Sequence, residues 1–147
     1  ITGKVLESAV KTSFDLASKR MDRRSSFHDR LLLERWSLLK DLMVRQERIM
    51  TVINRRNHGG ELPDGFLVNQ DIVPLTTVFE DLEVHRIILT DELYELLRQR
   101  GQLAIQACNS RDSGSQREVG TAWMGSHAQL RKAMKPAFQI PESGALW

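Results

Sequence analysis

The sequence predicts an all-α, antiparallel helical bundle of four to five helices, arranged around a hairpin with one long arm (about 27–57) facing two shorter helices (about 72–88 and 91–108). Three observations carry this. Apolar residues between Phe27 and Ile53 recur by fours and threes, no segment shows the two-residue alternation of a half-buried strand, and helix start and stop residues fall at the ends of the periodic stretches. The chain has 147 residues, 41% hydrophobic and 27% charged, a composition inside the globular range. A chain of this length buries roughly 70% of the surface its unfolded form exposes, so a core forms without metal or disulfides. One helical domain over 1–147 is expected, with 137–147 as an extended tail.

The first amphipathic segment places Leu6, Val10, Phe14, Ala17 and Met21 at helical spacing. Apolar residues then vanish over Asp22-Arg23-Arg24-Ser25-Ser26, and Ser26 followed by Asp29 has the spacing of an N-terminal capping box. A break or kink is expected there.

The long arm carries the clearest pattern. Leu32, Trp36, Leu39, Met43, Gln46, Met50 and Ile53 form a heptad seam, the candidate core or partner face, and Leu31, Leu38, Leu42, Ile49 and Val52 run beside it. A face this broad asks for at least two neighbouring helices. Gln46 is the one polar residue on the seam, where a lone polar group either sets register or partner orientation or lies at a solvated edge. Asn57-His58-Gly59-Gly60 supplies the stop.

Glu61 to Gln70, with Pro63-Asp64-Gly65 at its centre, reads as a turn-rich connection with room for a short apolar flap through Phe66, Leu67 and Val68. Asp71 is the expected cap of the next helix, with Pro74 in its first turn, where a missing amide donor costs little. Thr90-Asp91-Glu92 marks a second start, a threonine cap followed by two carboxylates near the positive end of the helix dipole. These two shorter helices, placed end to end, match the long arm in length. Ser115 with Glu118 predicts the start of a last helix through Val119, Trp123, Leu130 and Met134, ended by Pro136. Gly120 and Gly125 each weaken it by up to about 1 kcal/mol relative to alanine.

The formal net charge of +2 hides a division. Residues 1–58 hold 13 Lys/Arg against 7 Asp/Glu, residues 59–95 hold 1 against 9, and residues 96–147 hold 7 against 3. Packing of the acidic helix beside basic ones accounts for this layout. The cluster Lys19, Arg20, Arg23, Arg24 and Arg30 offers a second account, as contacts for the phosphates of nucleic acid or anionic lipid. Asp22 and Asp29 interrupt that cluster and no aromatic residue interleaves it, which weighs against single-strand binding.

The single cysteine, Cys108, has no intramolecular partner and sits among Leu103, Ala104, Ile105 and Ala107, the setting of a buried structural thiol. The run near Ile72 to Phe79 is broken by Pro74 and falls far short of a membrane span. The chain opens with Ile1 and shows no basic-then-apolar leader, so a processed product or a piece of a longer protein is expected. Asp81 and His85 share a helix face but lack further ligands for zinc or iron. No glycine-rich phosphate loop, nucleophile elbow or Cys/His spacing is present. The expectation is therefore a non-catalytic helical interaction or regulatory module, without cofactor or metal, that binds a protein partner or itself. Electrostatic binding through the 19–30 cluster is the alternative.

Overall fold

The computed structural model describes the backbone of residues 2–140 and the side chains of residues 26–140. Helix α1 spans Thr2–Asn57, a two-residue strand β1 Leu67–Val68 pairs with β2 Asp71–Ile72, and α2 Val73–Val84, α3 Asp91–Asn109 and α4 Ser113–Ala137 follow. With 77% of residues helical and one minimal ladder, the chain is all-α. It divides into two compact units, Ile1–Arg35 and Trp36–Trp147.

The expected break at Asp22–Ser26 is absent, because α1 is continuous through it. Polarity alone does not end a helix: Asp, Arg and Ser keep their backbone donors, and residues 4–58 contain neither glycine nor proline. Ser26 is thus an interior position rather than a cap. The glycine stop is met. Gly59 lies at φ 95°, its amide donates to Arg56 O at 3.0 Å, and the Gly60 amide donates to Arg55 O at 2.8 Å. This is the paired closure that satisfies the last carbonyls of a helix.

The connection after α1 holds a hairpin the sequence pattern did not predict. Leu67 pairs with Ile72 and Val68 with Asp71, joined through Asn69 and Gln70, both at positive φ. Two residues at positive φ make the turn whose twist suits a tight hairpin. Four ladder residues are too few to show alternation. Phe66 turns inward and is buried. Asp71 is consequently a ladder residue and does not cap α2, whose N-cap, Ile72, makes no side-chain hydrogen bond; Pro74 does lie in the first turn. Helix α2 ends at Val84, before the expected boundary, and gives way to turns in which Ile88 N donates to His85 O and Leu89 N to Arg86 O.

Thr90 caps α3 as expected, its hydroxyl accepting from Leu93 N at 3.2 Å. The cap of α4 is Asp112 rather than Ser115: Asp112 Oδ2 accepts from the Ser115 amide at 2.9 Å and Oδ1 from its hydroxyl at 2.8 Å. Either residue has the right chemistry, and the aspartate three residues upstream takes the first turn. These hydrogen bonds from Ser115 hold the Asp112 carboxyl below its ordinary pKa. A depressed carboxyl pKa adds stability above the unfolded value, and that stability is lost as pH falls through it toward the folded value. Asp112→Asn is therefore expected to lose less stability than the parent chain between about pH 6 and about pH 3, read from denaturant titrations at each pH; equal losses would show that the cap is not felt.

Within Trp36–Trp147, successive helices run antiparallel. Helices α2 and α3 form a hairpin, with Phe79 against Gly101 and the Tyr94 hydroxyl donating to Glu83. Helix α4 returns along α1, with Trp36 edge-on to Phe138 and His127 2.7 Å from Glu47. Arg45 of α1 reaches Asp81 and Thr77 of α2. Helix α3 therefore runs parallel to the 46–57 part of α1, matching Gln46 with Leu97 and Asn57 with Ala107. The end-to-end placement of the two shorter helices does not occur, because the 85–89 turns reverse the chain. Gly101 makes the α2–α3 approach possible, since a Cβ there would come within 2.5 Å of the Phe79 ring.

Candidate interaction surface and polar core

The seam proposed on α1 divides according to where its residues stand. Leu39, Gln46, Met50 and Ile53 are buried and Met43 is half-buried in the bundle core, together with Leu42 and Ile49 of the second stripe. Trp36 is 46% exposed. In the first unit Leu31 and Leu32 are half-buried, while Phe27 is 70% and Leu33 68% exposed. Those are large apolar side chains left to solvent on a helix. Lys19, Arg20, Arg23 and Arg24 lie outside the residues whose side chains are described. Arg30 is exposed, but Asp29 precedes it and Glu34 follows one turn later, so the described end of the basic cluster is charge-balanced.

Gln46 is not at a solvated edge. It is 1% exposed, its Nε2 donates to Leu97 O at 2.8 Å, and its Oε1 accepts from Arg100 Nε at 3.1 Å. Arg100 is the finding that sequence reasoning missed. Its side chain is fully buried; besides Gln46 it donates to Ser126 Oγ at 2.5 Å and to Glu47 Oε1 at 3.1 Å, and its guanidinium lies 3.9 Å from the centre of the Trp123 ring. Burial lowers the Arg100 pKa and Glu47 opposes that shift; an arginine keeps its proton regardless. The Ser126 hydroxyl in turn donates to Trp123 O at 2.6 Å. Among the described residues no buried side-chain polar atom lacks a partner, so the layer meets the condition under which buried polar groups do not destabilise.

A signal for this layer existed. Leu93, Leu97, Arg100 and Ala104 follow a four-three-four spacing, and so place Arg100 on the apolar stripe of α3. Ser126 likewise sits between Trp123 and Leu130 on the stripe of α4. Gln46, Arg100 and Ser126 are thus the polar members of three facing seams, and they meet at one level.

His85, Asp81 and Arg45 are engaged within the fold. His85 Nδ1 lies 2.9 Å from the Asp81 carbonyl, while the Asp81 carboxylate binds Arg45 at 2.6 Å, so the two do not converge as ligands. Burial works against the Arg45 charge, yet its bonds to Asp81 and Asp41 prevail and raise its pKa. Cys108 is buried, as the sequence suggested. Among the described residues no group of three or more His, Cys, Asp or Glu stands close enough to hold a metal ion, and no helix is long and apolar enough to cross a membrane.

Compared with protein-family models, curated proteins and solved structures, the chain matches none of them.

Proposed function

We propose that this chain is a non-catalytic helical interaction module that associates with a second copy of itself through residues 26–35 of α1. The observation that carries the proposal is the exposure of Phe27 and Leu33 beside half-buried Leu31 and Leu32. An amphipathic helix gains most of its stability from packing an apolar face rather than from propensity, and exposed clusters of large apolar residues mark association sites more often than isolated ones do. The choice of a second copy rests on charge. Arg30 and Glu34 stand one turn apart on the helix face that Phe27 and Leu31 share, and an antiparallel copy packed on that face, with its midpoint level with Leu32, sets Arg30 opposite Glu34, the self-complementarity a two-fold interface requires.

Sedimentation equilibrium over a range of concentrations tests this. The chain is expected to self-associate, and Phe27→Glu with Leu33→Glu is expected to weaken association by at least about tenfold, since burying each side chain is worth about 1.5–3 kcal/mol. Helix content should be unchanged. Arg30→Glu should weaken association, and adding Glu34→Arg should restore it. A chain that remains monomeric throughout would remove this reading.

A further inference from the structure

Where the hairpin meets the C-terminal end of α3, a recess of about 170 Å³ opens on the Trp36–Trp147 unit. Leu75, Phe79, Ile105 and Cys108 supply apolar walls, and Asp71 and Asn109 stand among its polar lining. Leu75 and Cys108 are buried while Asp71 and Asn109 are exposed, so the recess is apolar within and polar at its mouth. A cavity of about 150 Å³ is enough for benzene.

The charge of the mouth decides what it takes. Asp71 makes no ion pair among the described residues. Its backbone pairs with Val68 across the two-residue turn of the hairpin. Asp71 lines the recess and is exposed to solvent, which places a negative charge at the mouth. The nearby cation is already engaged: Arg56 donates to Cys108 O and to Asn57 Oδ1 and does not line the recess.

We infer that this recess is a binding site for a small organic cation, a primary amine or amidine bearing one ring or a short branched alkyl group, with the apolar body between Leu75, Phe79 and Ile105 and the cationic head on Asp71. Convergence of a few polar groups on an apolar hollow is the ordinary make-up of a small-ligand site. The hollow is small, so affinity stays modest.

Benzylamine is the probe, with benzyl alcohol and benzoate as its neutral and anionic counterparts, read by amide chemical-shift titration of the whole chain. Benzylamine should give saturable shifts at residues 70–79 and 105–109 and slow the alkylation of Cys108 by iodoacetamide. Benzyl alcohol should bind roughly fivefold more weakly, as loss of one partly exposed ion pair implies, with benzoate weaker still. Asp71→Asn, a surface change in the hairpin, should erase the preference for amine over alcohol while leaving the alcohol's affinity alone. Ile105→Trp, which fills the hollow, should abolish binding of both. The inference is overturned if benzoate binds as well as benzylamine, if the shifts fall elsewhere, or if Asp71→Asn leaves the ranking unchanged.

Discussion

Arg100→Ala is expected to lower the folding free energy by about 3–5 kcal/mol, the range found when one partner of a buried charge network is removed. Three losses combine. The Gln46 carbonyl loses its donor in a buried site, the stack on Trp123 disappears, and a long side chain with no solvent exposure leaves a cavity between α1, α3 and α4. Glu47 loses a partner too, but its side chain is 48% exposed and keeps His127, so water and imidazole compensate. Arg100→Lys should recover only part of the loss, because an ammonium cannot reproduce the planar fork that reaches Gln46, Glu47 and Ser126 together. Urea unfolding at equilibrium measures both. A loss of less than about 1 kcal/mol for the alanine variant would place Arg100 among ordinary surface arginines.

The second large effect has a sign opposite to what the seam alone suggests. Replacing the one polar residue of an apolar seam with leucine commonly stabilises a helix bundle at the expense of register. Here Gln46→Leu is expected to destabilise by about 1–3 kcal/mol, because it leaves the Arg100 Nε–H without its acceptor in a dry site. The double variant Gln46→Leu with Arg100→Leu should be less destabilised than the sum of the two single changes, since removing both partners leaves neither orphaned. Additive losses in that cycle would mean the two side chains do not interact.

The contrast between these residues explains which parts of the fold were legible in sequence. Local signals read well: the Gly59-Gly60 closure, the Thr90 cap and the burial of Leu39 through Ile53 each follow from residues within a turn of one another. Equivalent local chemistry at two nearby positions did not discriminate, which is why Asp112 rather than Ser115 caps α4. A polar run such as Asp22–Ser26 resembles a break in sequence, yet nothing in its backbone chemistry stops a helix. The polar layer left a signal on each stripe that was incomplete for a different reason. Arginine on a stripe reads as a solvated edge until a glutamine and a serine from two other helices are placed at the same level. The direction of α3 depends on the short turns at 85–89, too irregular to leave a periodic trace. The surface proposed for association was not legible as a stripe: Phe27 and Leu33 belong to neither apolar row of the sequence, and only their exposure in the fold marks them.

What holds α1, α3 and α4 in register, on this account, is a buried guanidinium with its acceptors in place. The nuclear magnetic resonance signal of the Arg100 Nε–H measures this directly. It should persist at neutral pH, exchange with solvent far more slowly than the same group of exposed arginines such as Arg48 and Arg117, and show nuclear Overhauser contacts to the Trp123 ring. An Arg100 Nε–H that exchanges as fast as theirs, without contact to Trp123, would contradict it.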